Sequence, residues 1–151
     1  YEDSSKITLK NKLYVVEMEG ITQVICYRRT KFSSPERAKS QALKILQSLG
    51  LDMSVKAAGV MFTSKKKRPS IEPVVWVRDI KTLFYETACA SGTTAVALVE
   101  ALKINSSVYN IPIFQPSGKE IVVSVDLVGN RFSCATIGGP INLLTTDYIY
   151  V

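Results

Sequence analysis

The chain has 151 residues, of which 46% are hydrophobic and 21% charged, a composition typical of one globular domain rather than a disordered segment. No apolar run approaches the ~20 residues that a membrane-spanning helix needs. Three cysteines and no histidine exclude a disulfide framework, a nucleophile–histidine pair within this chain, and most kinds of zinc site. Together with a polar N-terminus that lacks a signal-peptide pattern, these features predict a reducing, cytoplasmic setting.

The first half of the chain predicts a hairpin, a helix and three further strands. Residues 12–17 and 21–29 are rich in β-branched and aromatic side chains, with a glycine between them. Ser34 is a suitable helix cap followed by proline, and apolar residues then recur on one helical face until the helix ends near Gly50. Further strands are predicted at residues 56–63, 73–78 and 82–86.

A basic run contributes much of the net charge of +6. It extends from Lys65 to Arg68, just before Pro69. Such a run is either a patch for phosphate or nucleic acid or a solvated loop between strands. No aromatic residues are interleaved with it and no recognition helix is adjacent, so the loop is favoured. We therefore expect neither nucleic acid nor a membrane as a partner.

The second half of the chain predicts one apolar helix among short strands. The helix, at residues 92–103, is apolar almost all round, which predicts deep burial. Two helices and about eight strands predict an α+β fold, in which an antiparallel, barrel-like sheet wraps around this central helix with one further helix outside. No linker interrupts the pattern, so residues 1–151 are expected to form a single domain. The strands are predicted at residues 111–115, 120–127, 131–137 and 148–151.

Cys89 lies between a predicted strand and the second helix, in the sequence YETACASGTTAVAL. A helix N-terminus presents free N–H groups and partial positive charge, and both lower the pKa of a thiol. The backbone amides of Ala90, Ser91 and Gly92 are placed to hold a carboxylate or phosphate at the same point. The alternative is a small buried cysteine that only fills space.

Other thiol chemistry fits the sequence poorly. Cys26 and Cys134 lie in predicted strands without a helix start or a small-residue turn, so both are predicted to be structural packing residues. A thiol phosphatase would carry arginine six residues after its cysteine, where this chain has Ala95. A cysteine hydrolase would need a base, usually histidine. A thiolate beside an anion-binding turn instead suits proton or acyl transfer on a small carboxylate-bearing substrate.

Three segments resemble the diaminopimelate epimerase family, whose members racemise or epimerise amino acids without pyridoxal phosphate. ETACASGT, which begins at Glu86, resembles the cysteine motif in the C-terminal half of these enzymes. FQPSGKEI, from Phe114, resembles the family's Pro-Gly-Gly hairpin and the next strand, and GGP, from Gly138, resembles a Gly-Pro element near the C-terminus. The resemblance covers nearly the whole chain. It implies the C-terminal catalytic half of an enzyme with two similar domains, each a barrel-like sheet around a helix.

The resemblance also implies a two-cysteine acid/base mechanism on a small amino-acid substrate, with no cofactor and no metal. Cys89 would be one catalytic acid/base, and the backbone of Ala90, Ser91 and Gly92 would bind the substrate carboxylate. The other catalytic cysteine would belong to an N-terminal domain with an Asn-x-Cys-Gly-Asn-like motif, which this sequence lacks. This chain alone is therefore expected to be inactive. The alternative is a non-catalytic domain of the same fold that binds a small carboxylate or acts as a scaffold.

Departures from the epimerase motif point to one branch of the family. Diaminopimelate epimerases carry a Glu-Arg pair eight or nine residues before the cysteine, but residues 80–82 here read Ile-Lys-Thr. Glu86 stands three residues before Cys89, where the epimerases have a separation of four. These features resemble the histidine-racemase branch, whose motif reads Cys-Gly-Ser-Gly-Thr, although this chain has Ala90 in place of the first glycine. The substrate side chain is left open by the sequence.

Overall fold

The computed structural model describes residues 6–64 and 69–140, which form two sheets and three helices. The strands of the first sheet, in their spatial order, are β1 (Ile7–Lys10), β2 (Leu13–Met18), β3 (Ile21–Arg28), β4 (Ala57–Ser64), β5 (Ile71–Val77) and β6 (Thr82–Tyr85). The second sheet contains β7 (Val108–Phe114), β8 (Glu120–Val128) and β9 (Arg131–Gly138). The helices are α1 (Pro35–Ser48), α2 (Leu51–Ser54) and α3 (Ala90–Ile104).

Most predicted elements are confirmed within a few residues of their ends, and two short ones were missed. β1 is only four residues long and half of it is exposed, so its sequence carries little strand signal. α2 is a single turn that follows directly after Gly50. The basic run at 65–68 and the strand predicted at 148–151 lie outside the described residues.

The prediction of an antiparallel sheet is wrong at one strand pair. β3 and β4 run parallel, whereas the other neighbouring pairs of both sheets are antiparallel. The reason is the crossover connection through α1 and α2, which brings the chain back to the end of the sheet at which β3 began, so that β4 runs in the same direction as β3. The described strands form a mixed six-stranded sheet and a separate three-stranded sheet, and not a closed barrel.

The first sheet is covered on both faces because alternate side chains of its central strands point in opposite directions. Val24 on β3 packs in the core beneath α1, and its neighbour Ile25 packs in the core around α3. Val60 and Met61 on β4 divide between the two cores in the same way. This explains why these strands read as nearly continuous apolar runs.

The predicted buried central helix is α3, which lies between the two sheets. Its apolar residues share one core with residues of β2 to β5 on one side and of β7 to β9 on the other. Leu98 and Val99 are completely buried there, and each such side chain contributes about 1.5–3 kcal/mol by leaving water. The prediction of one further helix is incomplete, since both α1 and α2 are present. Within the described part of the chain, every helix is too short or too polar to cross a membrane.

Candidate active site at the start of helix α3

Cys89 is the N-terminal cap of α3. Its backbone is extended, with φ −140° and ψ 105°, and its sulfur accepts a hydrogen bond from the Gly92 N–H at 3.4 Å. The Cys89 carbonyl accepts the first helical bond from the Thr93 N–H at 3.0 Å and a second from the Thr93 hydroxyl at 2.7 Å. A cap residue must offer a side-chain acceptor to the free N–H groups of the first turn. The sulfur fills that role here, so the predicted location of this thiol at a helix start is confirmed.

Gln115, which follows directly after β7, holds this cap through hydrogen bonds. Its Oε1 accepts the Cys89 N–H at 3.1 Å, and its Nε2 donates to Thr93 Oγ1 at 3.0 Å and to the Ile113 carbonyl at 2.9 Å. The side chain is only 3% exposed and all its bonds are internal. Sequence reasoning missed this role, although a polar amide directly after an apolar strand was a usable signal. Gln115 therefore fixes the position of the Cys89 backbone relative to the turn between β7 and β8.

A second amide reaches the cap from the first sheet. Gln23 on β3 donates from Nε2 to the Ser91 hydroxyl oxygen at 3.0 Å, and that oxygen lies 3.6 Å from the Cys89 sulfur. Gln23 is completely buried. The only sequence signal for the role of Gln23 is its amide within the mostly apolar strand segment ITQVIC. The two sheets thus approach the Cys89 cap from opposite sides, each with one glutamine.

The environment of the Cys89 thiol disfavours its charged form. Cys89 is 6% exposed. Burial is the main cause that raises the pKa of its thiol to about 11, and the hydrogen bond and negative charge of Glu86 act in the same direction. The Ser91 hydroxyl and the Gly92 N–H lower the pKa but do not outweigh these effects. The lowered pKa predicted from the helix N-terminus is therefore wrong for this chain, because desolvation exceeds the helix-end stabilisation.

The three residues predicted to bind carboxylate differ in exposure. Ala90 is exposed, Ser91 is half-buried and Gly92 is buried. The Gly92 N–H already donates to the Cys89 sulfur. A Cβ atom at Gly92 would lie 2.1 Å from Met61 Sδ on β4 and 3.1 Å from the Cys89 sulfur. The need for glycine here follows from close packing of α3 on β4, and carboxylate binding by these amides stays a prediction.

Gly92→Ala should therefore lower the free energy of unfolding by about 1–3 kcal/mol, the usual cost of overpacking a core. Met61 is completely buried, so its side chain has no solvent-filled space into which it can move. The cost exceeds the gain of at most about 1 kcal/mol from replacing glycine by alanine in a helix. Chemical denaturation measures the change. Gly138→Ala is the control, because nothing lies within 4 Å of its added Cβ, and equal stability of both variants would contradict this account of Gly92.

The other two cysteines have different surroundings. Cys26 on β3 is half-buried against the core beneath α1, which confirms its predicted packing role. Cys134 on β9 is exposed, so its predicted packing role is wrong. The exposed side of this edge strand, which the sequence pattern did not distinguish from a buried one, accounts for the difference. The residues that the structure describes contain no group of three or more Cys, Asp or Glu side chains suited to a metal ion.

Comparison with known proteins identifies relatives of this chain. Residues 3–150 match the family model described as the histidine racemase CntK N-terminal domain. Histidine racemases from two strains of Fusobacterium nucleatum are 28% and 29% identical over 142 residues, or 93% of this chain. These alignments cover 49% and 48% of the two relatives. The histidine racemase of Staphylococcus aureus is 26% identical over 69 residues, which are 46% of this chain and 25% of that protein.

The chain spans about half the length of the Fusobacterium relatives that it matches. The family model describes an N-terminal domain, which disagrees with the C-terminal half implied by the cysteine motif. The resemblance that suggested the C-terminal half implies two similar domains with one cysteine each, so a cysteine at a helix start is a weak guide to which half is present. The resemblance to the histidine-racemase branch is confirmed. The chain belongs to the family of histidine racemase N-terminal domains.

Proposed function

We propose that this chain is one half of an amino-acid racemase that acts without pyridoxal phosphate, with histidine as its substrate and Cys89 as one of two catalytic acid/bases. The observation that carries the proposal is the position of the Cys89 sulfur, which caps α3 and contacts the Gly92 N–H and the Ser91 hydroxyl. The names of the relatives supply the reaction and the substrate. A second domain in the complete protein supplies the other thiol. The free cysteines suit a cytoplasmic enzyme.

The proposed reaction moves one proton off the α-carbon and another onto its opposite face. A thiolate takes the α-proton, and the electron pair stays on the α-carbon, next to the substrate carboxylate. A thiol on the other face then gives its proton to that carbon and becomes a thiolate. A pKa of about 11 keeps Cys89 protonated at neutral pH, so it enters this cycle as the proton donor in one direction of the reaction.

The α3 N-terminus supports the negative charge that develops during the reaction. The α-proton of an amino acid is a very weak acid, so its removal requires electrostatic stabilisation of the carbanion. N–H groups and the partial positive charge at a helix start provide this when they face the substrate carboxylate. Exclusion of water by the second domain would strengthen the interaction. The backbone of Ala90 and Ser91 lies at this helix start, and the proposal assigns carboxylate binding to them together with Gly92.

The complete protein should invert histidine and incorporate solvent deuterium, while this chain alone should not invert it. Inversion needs a proton donor on each face of the α-carbon, and one thiol serves only one face. The test incubates each form with single-enantiomer histidine in heavy water, with diaminopimelate as a second substrate. Chiral chromatography follows inversion, and mass spectrometry follows deuterium.

Two outcomes would overturn the proposal. Sustained inversion by this chain alone would require a second acid within its own residues. An absence of inversion by the complete protein across a panel of amino acids would favour the alternative, a non-catalytic domain that binds a small carboxylate.

A further inference from the structure

Gln23 is an unusual residue for its place in the fold. It lies on β3 between Thr22 and Val24, and its side chain points to the same side as Ile25, into the core around α3. It is completely buried, although an amide carries two donors and an acceptor that need partners. Its strand partner on β4 is Gly59. A fully buried amide costs free energy unless it is hydrogen-bonded, so the contacts of Gln23 require an explanation.

The contacts of the Gln23 amide are directed at the active-site turn. Nε2 donates to the Ser91 hydroxyl oxygen at 3.0 Å. Oε1 has no hydrogen-bond partner among the described residues. It occupies the space that a side chain at position 59 would fill, since a Cβ at Gly59 would lie 2.1 Å from it. Gly59 on β4 therefore leaves space for the Gln23 amide. Among the described residues, the hydrogen bond of this amide is the one to Ser91.

The bond from Gln23 uses the Ser91 hydroxyl oxygen as an acceptor and leaves the Ser91 proton available for donation. With its oxygen already accepting from Nε2, the Ser91 hydroxyl is free to donate its own proton to the Cys89 sulfur at 3.6 Å. We propose that Gln23 is a positioning residue of this site, which directs the Ser91 hydroxyl proton onto the Cys89 sulfur and so stabilises the thiolate. The relay runs from β3 through the first turn of α3 to the sulfur. Its consequence for turnover rests on the function proposed above, but its effect on the thiol does not.

The relay opposes Glu86 at the same sulfur. Glu86 and burial raise the pKa of Cys89, whereas the Ser91 hydroxyl lowers it. Among the described residues, the side chains whose contacts at this turn come from other elements include Gln23 from β3, Met61 from β4 and Gln115 from the turn before β8, and these three do not titrate. A catalytic thiol must hold its proton before it donates it, and must be stable as a thiolate afterwards. The groups that raise its pKa serve the first need, and the Ser91 hydroxyl serves the second. Loss of the relay leaves only the Gly92 N–H to oppose Glu86 and burial.

Gln23→Met tests the relay, because methionine is close in size and cannot donate. This chain is prepared with Cys26→Ser and Cys134→Ser, which leave Cys89 as its only thiol. In the complete protein with the same two changes, mass spectrometry of the labelled peptides distinguishes Cys89 from any other thiol. Ultraviolet thiolate titration should show a raised pKa for Cys89. The thiolate fraction at about pH 8 should fall by about threefold to tenfold, the effect of one hydrogen bond. The rate of alkylation by iodoacetamide should then fall by about twofold to threefold, because the more basic thiolate is a better nucleophile. In the complete protein, kcat should fall and its pH profile should shift, with KM little changed.

Three further variants make the test specific. Ser91→Ala should raise the pKa as much as Gln23→Met, and combining the two changes should add nothing more. Gly59→Ala should have a similar effect, because the added Cβ displaces the amide without removing it. Thr22→Val is the matched control, since Thr22 is buried on the same strand but faces the other side. Circular dichroism checks that each variant folds.

The outcomes separate the relay from the proposed reaction. An unchanged or lowered pKa in Gln23→Met and Gly59→Ala would overturn the relay. A lowered pKa would mean that the amide accepts from Ser91 instead of donating to it. Additive effects of Gln23→Met and Ser91→Ala would overturn it as well. A raised pKa in a complete protein that inverts no amino acid would support the relay while refuting the racemase.

Discussion

Cys89→Ala in the complete protein should lower the rate of histidine inversion by about 10²–10⁴-fold, the range that a positioned general acid or base contributes. The change removes the thiol at the start of α3 and leaves the helix-end amides in place. KM should change much less than kcat, because the proposed role of the thiol is in the proton transfer and not in holding the carboxylate. Chiral chromatography of the products measures the loss.

The other two cysteines provide the controls for this substitution. Cys26→Ser and Cys134→Ser should retain most of the inversion activity, since Cys26 packs beneath α1 and Cys134 is exposed on β9. Deuterium exchange by Cys89→Ala should persist for one enantiomer at most, through the second thiol proposed for the complete protein. Retained inversion in Cys89→Ala, or a larger loss in either control, would remove Cys89 from the mechanism.

Glu86→Gln should lower the pKa of Cys89 from its value of about 11, because it removes a negative charge and a hydrogen bond that favours the protonated thiol. At a pH below both pKa values, the thiolate fraction rises about tenfold for each unit by which the pKa falls. Alkylation accelerates by only about threefold for each unit, because a less basic thiolate is also a weaker nucleophile. Iodoacetamide labelling near pH 8 in the Cys26→Ser and Cys134→Ser background measures this. Glu17→Gln is the control, as Glu17 is an exposed carboxylate on β2. An unchanged labelling rate in Glu86→Gln would refute this role.

The same pKa predicts how stability depends on pH. The folded protein binds the Cys89 proton more tightly than the unfolded chain, whose thiol has a value near 9.0. The stabilisation is therefore complete below about pH 9 and is lost as the pH rises towards about 11. Melting temperatures between these values should fall less steeply for Glu86→Gln than for the unchanged protein. An equal slope in both would contradict the effect of Glu86 on stability through the Cys89 thiol.

Local patterns were sufficient to predict most of the secondary structure. Proline after a serine cap predicted the start of α1, and Ser34 does accept a hydrogen bond from the Arg37 N–H. The apolar residues of α3 predicted a helix buried all round, and it lies between two sheets. These predictions succeed because capping, helical spacing and strand alternation depend on residues close together in the chain.

Three features came only from the tertiary structure. They are the parallel pairing of β3 with β4, the absence of a closed barrel among the described strands, and the direction of the Cys89 pKa shift. Each depends on residues distant in the chain, and the burial that raises the pKa comes from packing around α3. Gln23 and Gln115 lie 68 and 26 residues from the groups they bind at this site. The sequence by itself determined most of the elements and the location of a thiol at a helix start. Which groups surround that thiol, and whether they favour its protonated form, was decided by the tertiary structure, because desolvation and hydrogen bonding exist only once the two sheets enclose the helix.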